Sequence, residues 1–370
     1  LAAGPWATGA AQARDSGDPC AGWPQWNHFK QLYLSGDGRV IDAGVEPGIT
    51  VSEGQAYALT FAVIANDPQA FERILTWTAD NLAGGNLERT LPAWKWGRAD
   101  DGQWTVLDPN SASDADLWIA YALGEAARLW HNPSYGHLAR AMADLIVREE
   151  VAWIPQLGAT LLPGPKGFVS DQTWRLNASY SPIQVLRAIG VQSDSPLWAD
   201  VLQSSARVIL GSAPHGYAAD WIDYRASEGF ITDSSTNGVG SYNAIRVYLW
   251  AGMLADGDPR AAALTHQLEP MATRAAEHPP PELIDTNTLE AHGTAPVGFS
   301  AALLPLLAYF KHAAAVESYR KLVEAEALAD NQHYYSDVLS VFGLGWLDGR
   351  YRFDRQGHLQ VRWTDTCRAH

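Results

Sequence analysis

Thr50-Val51-Ser52-Glu53-Gly54-Gln55-Ala56-Tyr57-Ala58-Leu59-Thr60-Phe61 runs from a Ser/Thr-rich lead-in into an apolar helical pattern, with one acidic residue in its first turn. A carboxylate there is favoured by the unpaired N–H groups and by the positive end of the helix dipole. On this stretch alone Glu53 reads as an acidic helix start. A second acidic helix start follows at Ser113-Asp114-Ala115-Asp116, and Trp and Tyr residues gather near the expected loops. Carboxylates at helix mouths beside aromatic platforms point to carbohydrate chemistry, with Glu53 as the proton donor.

Outward from this stretch, the spacing predicts helices over about 53–65, 68–82, 113–130, 135–150, 182–189, 196–210, 242–254, 259–276, 296–309, 313–328 and 334–346, with a weaker one over 23–34. Many begin beside Pro and end near Gly, Asp or Asn, the asymmetry that marks helix ends. Strands are short and scattered and do not alternate with helices, which excludes a doubly wound sheet or a β/α barrel. The expected fold is all-α: an (α/α)6 barrel, or toroid of six helical hairpins, with long loops and a short β-hairpin lining an open cleft. Residues 86–111 form a long connection holding Trp94, Trp96 and Trp104, and loops of that length usually serve a function. Residues 156–175 carry Gly-Pro-Gly punctuation and read as a hairpin or loop.

Residues 20–370 read as a single domain. Residues 1–19 read as a flexible segment or the remnant of a signal peptide, since Ala11-Gln12-Ala13 resembles a signal-peptidase site. Cys20 and Cys367 lie near opposite ends, as two free thiols or as a disulfide stapling the termini.

Composition narrows the function class. The net charge of −15 argues against a protein whose main work is neutralising phosphates, so nucleic acid is not an expected partner. No run approaches the about 20 apolar residues of a membrane span. Sixteen Trp and fourteen Tyr suit a neutral, ring-shaped ligand. The eleven histidines include no His-x-x-x-His and no clean metal triad, and neither a dinucleotide fingerprint nor Gly-x-Ser-x-Gly is present. Neither a metal nor another cofactor is expected.

Inverting hydrolysis of a glycosidic bond needs a carboxylic acid on one side and a water-activating carboxylate on the other, roughly 6.5–9.5 Å apart. Glu53 is the candidate acid. Asp114 and Asp116 are two apart and do not share a helical face, so one reads as structural and the other as a sugar-hydroxyl ligand. Asp114 is the preferred ligand and Asp116 the second candidate. In Gly240-Ser241-Tyr242-Asn243-Ala244-Ile245-Arg246, Arg246 lies three residues beyond Asn243 and can orient a carboxylate or a sugar oxygen. Trp94, Trp96, Trp104, Trp174 and Tyr180 are candidate platforms for pyranose rings, or core residues.

These motifs together resemble glycoside hydrolase family 8, and within it the endo-β-1,4-glucanases of bacterial cellulose synthesis. The resemblance rests on Gly38-Arg39-Val40-Ile41-Asp42, on Thr50 to Tyr57, on Leu91-Pro92-Ala93-Trp94-Lys95-Trp96-Gly97, on Ser111-Ala112-Ser113-Asp114-Ala115-Asp116-Leu117-Trp118-Ile119-Ala120, on Gly240 to Tyr248 and on Gly298-Phe299-Ser300-Ala301-Ala302. It implies an (α/α)6 barrel and metal-free inverting cleavage of internal β-1,4 bonds. It also implies export to the periplasm or outside, and association with a cellulose synthase complex. Glu53 falls on the general acid, Asp114 on the sugar-holding acid, and Trp94 and Trp96 on a cleft-lining segment. The pattern departs at Asn243, where the resemblance implies an Asp as general base. An amide cannot take a proton from water at neutral pH. Either the chain is an inactivated endoglucanase that still binds glucan, or it uses another acid such as Asp223 or Asp233. A non-catalytic glucan-binding component of an export machine is the alternative. Chitosan or xylan is a further candidate polymer.

Overall fold

The computed structural model describes residues 22–327 and 333–366. Cys20, Cys367 and the segment read as a signal remnant lie outside them. The main helices in chain order are α1 (Pro24–Tyr33), α2 (Ser52–Ile64), α3 (Pro68–Leu82), α4 (Ser113–Leu129), α5 (Pro133–Glu150) and α6 (Ile183–Gln192). They continue with α7 (Leu197–Ser212), α8 (Ala244–Gly252), α9 (Ala261–Glu277), α10 (Val297–Tyr309), α11 (Ala313–Ala327) and α12 (Tyr334–Leu347). Proline starts α3 and α5, and the preceding Asp67 and Asn132 accept backbone N–H groups of Ala70 and Ser134.

Burial sorts the helices into two rings. Every residue from Gly54 to Ile64 of α2 and from Gly298 to Leu307 of α10 is buried. A helix that is apolar all round must be surrounded by other elements. Accordingly α2, α4, α6, α8, α10 and α12 touch in that order as an inner ring, and α3, α5, α7, α9, α11 and α1 pack outside them as partners. This is the expected (α/α)6 toroid. Two inner contacts need glycine: a Cβ on Gly252 of α8 would lie 2.3 Å from the Leu306 backbone, and one on Gly343 of α12 would lie 2.1 Å from the Ala301 carbonyl.

Aromatic rings fill the middle. Phe342 of α12 meets Phe61 and Tyr57 of α2 at 4.6 and 5.1 Å, Trp250 of α8 at 5.2 Å and Trp118 of α4 at 5.6 Å. One side chain therefore closes the ring across its first and last inner helices. Phe342→Ala is expected to cost about 3–5 kcal/mol, read as a lower denaturant midpoint at unchanged slope.

Among the described residues the strands form five small antiparallel sheets. They are β1–β3 (Thr50–Val51, Lys95–Arg98, Trp104–Asp108), β4–β5 (Val151–Ile154, Gly158–Leu161) and β6–β9 (Val169–Ser170, Thr173–Leu176, Ile222–Arg225, Gly229–Thr232). The others are β10–β12 (Val239–Gly240, Leu283–Asp285, Ala291–His292) and β13–β14 (Tyr351–Phe353, Leu359–Val361). The connection over 86–111 is thus more regular than its composition suggested. It contains the β2–β3 hairpin, which β1 extends at the doorstep of α2.

The β13–β14 hairpin is pinned to α4 by a completely buried carboxylate. Glu125 receives Arg128 Nη2 (2.5 Å), the Leu359 N–H (2.8 Å) and His358 Nδ1 (2.8 Å). Its hydrogen bond holds the His358 imidazole above its ordinary pKa. The raised value means the protonated form is favoured by folding. This contribution is full below the unfolded pKa of about 6.5 and is lost as pH rises through the folded value. His358→Gln is expected to flatten that decline in a series of denaturant melts against pH. No helix of the described residues is long and apolar enough to cross a membrane.

Candidate active site

Three inner helices present their N-terminal ends at one mouth of the toroid, and Arg246 joins them. Glu53 stands in the first turn of α2, with its side chain about one-quarter exposed. Tyr57, one turn on, donates to Glu53 Oε1 at 2.7 Å, and the Arg246 guanidinium pairs with the same oxygen. Arg246 Nη1 also reaches Asp114 Oδ2 on α4 at 3.2 Å and the Tyr57 hydroxyl at 3.1 Å. Its Nη2 donates to Asn243 Oδ1 at 2.8 Å. Tyr180 lies with its ring 5.8 Å from the guanidinium. Sequence positions 53, 114, 180, 243 and 246 are therefore brought together.

The electrostatics follow from burial. Asp114 is almost fully enclosed, and desolvation pushes its carboxyl up to about 7, the Ala115 amide opposing and the negative charge of Glu150 adding. Enclosure also raises the Tyr57 and Tyr180 hydroxyls far above their ordinary range and lowers Arg246. Of the two carboxyls on Arg246, only Glu53 has appreciable exposure, so Glu53 is the one a ligand can meet first.

Asn243 precedes α8 but does not cap it with its side chain. The cap is Asp220, whose Oδ1 accepts the N–H groups of Ser241 (2.8 Å), Asn243 (3.0 Å) and Ala244 (2.7 Å). This frees the Asn243 amide to face the cluster, where its oxygen accepts from Arg246 and from Asn177 Nδ2 at 3.2 Å. A guanidinium has no acceptor, so the oxygen must face it, and the –NH2 is what remains to offer a ligand. That group can only donate.

The two acids considered as substitutes are engaged by other groups. Asp233 is engaged by Arg175 (2.8 Å) and by the backbone and hydroxyl of Thr236 (2.8 and 2.7 Å). Asp223 is a buried residue of β8, opposite Arg175 of β7 and Ile231 of β9. Asp116, the second candidate for a sugar ligand, has a completely buried side chain.

The aromatic candidates divide. Trp96 and Trp104 stack at 5.2 Å with 20° between planes, Arg39 covers both at 4.5 and 4.8 Å, and Trp77 meets Trp96 edge-on at 5.3 Å. Trp104 is 44% exposed, so it is not a core ring. Trp94 is half-buried, and its carbonyl accepts the Ser52 N–H (3.0 Å), tying this sheet to the start of α2. Trp174 alternates with Arg175 on β7 and so faces the other side of that strand. Sequence reasoning passed over Trp221, which stacks on Phe168 at 5.9 Å and lies 4.0 Å under Arg175, with Tyr180 at 6.2 Å. It also missed Asn177, Asp220 and Tyr335, whose hydroxyl donates to the Tyr242 carbonyl (2.6 Å). Asn177, Asp220 and Trp221 lie outside helices and strands and carry no periodic signal, while Tyr335 lies in the first turn of α12, where nothing in the local pattern sets it apart. Among the described residues no group of three or more His, Cys, Asp or Glu is placed to hold a metal ion.

A family model described as "Glycosyl hydrolases family 8" matches residues 4–349. An endoglucanase of Xanthomonas axonopodis pv. citri (strain 306) is 46% identical over 354 residues, covering 95% of this chain and 92% of the relative. An endoglucanase of Escherichia coli O157:H7 is 43% identical over 346 residues, covering 93% and 92%. The crystal structure of an endo-1,4-D-glucanase from Vibrio fischeri ES114 superposes with a TM-score of 0.88 at 42% identity, covering 92% of this chain and 99% of that one.

Proposed function

The chain belongs to glycosyl hydrolase family 8, and from that premise we propose that it is an endo-β-1,4-glucanase by fold and cleft whose water-activating position is occupied by Asn243. The observation that carries this reading is the single guanidinium of Arg246 joined at once to Glu53, Asp114 and Asn243. In the scheme, a glucan chain lies across the mouth against Trp104 and the neighbouring rings. Glu53 gives its proton to the bridging oxygen as the glycosidic bond breaks. Asp114 holds a hydroxyl of the distorted sugar. Water attacks the anomeric carbon from the side of residue 243, where a carboxylate would remove its proton.

With an amide at that position the proton has no destination, so binding persists while cleavage stalls. Export to the periplasm or beyond and work beside a cellulose synthase belong to the same proposal and rest on the resemblance in sequence motifs.

Cellohexaose titrated into the chain as it stands is expected to bind, with little release of new reducing ends over hours. Absence of binding would remove the glucan reading. Rapid cleavage would remove the assignment of residue 243. Binding that persists while the Asn243→Asp variant also fails to cut would favour a dedicated glucan-binding component.

A further inference from the structure

Near Asp114 lies a pair of buried carboxyls that the reaction scheme leaves unused. Asp116 on α4 and Glu150 at the end of α5 are both completely buried. Glu150 Oε1 accepts the Ser111 hydroxyl at 2.6 Å. Glu150 Oε2 and both oxygens of Asp116 have no donor from any other group. The two carboxyls nonetheless sit within hydrogen-bonding contact of each other. Two ionised carboxylates so placed, enclosed and without a cation, would repel strongly. Two neutral acids would give up the favourable bond of a carboxylate to the Ser111 hydroxyl. One proton between them satisfies the contact, since an acid O–H needs an acceptor and a carboxylate is one.

We propose that Asp116 and Glu150 share a single proton, and that this acid–carboxylate pair is a positioning device that keeps one negative charge near Asp114. Its effect on Asp114 rests on the functional reading above; the shared proton itself does not. Asp114 faces Arg246 and Tyr57 in front, Glu53 beyond the guanidinium, and Tyr180 and Tyr335 at its flanks. Its other charged neighbours are the pair itself, on which Glu149 also acts. A fixed negative charge there favours the protonated form of Asp114, so the carboxyl can donate to a sugar oxygen near neutral pH. Burial begins that shift, and the pair extends it.

Two amide variants and their combination separate the charge from the shape. Asp116→Asn leaves the charge on Glu150, Glu150→Gln leaves it on Asp116, and the double variant removes it. Carbon-13 carboxyl spectra of the Asp- and Glu-labelled chain at about pH 8.5, where Asp114 is ionised, are expected to show one buried protonated carboxyl. That signal should vanish in each single variant. The midpoint of cellohexaose affinity against pH should stay close to that of the unaltered chain in the single variants and fall by on the order of one unit in the double variant. A spectrum of the unaltered chain without a protonated carboxyl would overturn the shared proton, whatever the variants do. A double variant that is folded by circular dichroism with an unmoved midpoint would overturn the positioning role. If no cello-oligosaccharide binds at all, the functional reading fails, while the spectra still judge the pair.

Discussion

Asn243→Asp is expected to raise turnover on carboxymethylcellulose by about 10²–10⁴-fold, the range a positioned general base contributes. The exchange is nearly isosteric. One carboxylate oxygen would keep the bonds from Arg246 Nη2 and Asn177 Nδ2 that the amide oxygen holds now. The other would replace the –NH2 and turn a donor into an acceptor for water. The backbone need not move, because Asp220 rather than residue 243 caps α8. The added charge also gives Arg246 an anionic partner at position 243. Initial rates of reducing-end release decide the matter, and an unchanged rate in a folded variant would end the assignment of position 243.

Glu53→Gln, made in the Asn243→Asp background, is expected to remove most of that gain, again about 10²–10⁴-fold. Gln keeps an oxygen for the Tyr57 hydroxyl and for Arg246, so the cluster keeps its shape and cello-oligosaccharide affinity should change only a few-fold. What it lacks is a proton to give. The sharper measurement compares leaving groups. An aryl cello-oligosaccharide that expels a weakly basic phenolate needs little protonation, so its loss should be much smaller than that for a glucan chain. Equal losses on both would mean that Glu53 binds or shapes the site rather than serving as its acid.

The sequence was most informative where a residue's role depends on its immediate neighbours. The apolar surface all round α2 and α10 was written in their composition, and a helix with no polar face can only stand inside a ring of others. Glu53 and Asp114 were visible because each opens such a helix. The hairpin at 95–108 was harder to see, because its strands are short and its pairing with Thr50 and Val51 spans more than forty residues.

By itself, then, the sequence determined the helical toroid, the two acidic helix starts and the amide at position 243, since each depends on local pattern or residue identity. Only the tertiary structure decided which of Asp114 and Asp116 meets Arg246, that Asp220 caps α8, that Trp221 lies under Arg175, and that Glu150 accepts the Ser111 hydroxyl. Those outcomes depend on distances between segments far apart in the chain. Burial and charge act through space, and a linear pattern does not carry them.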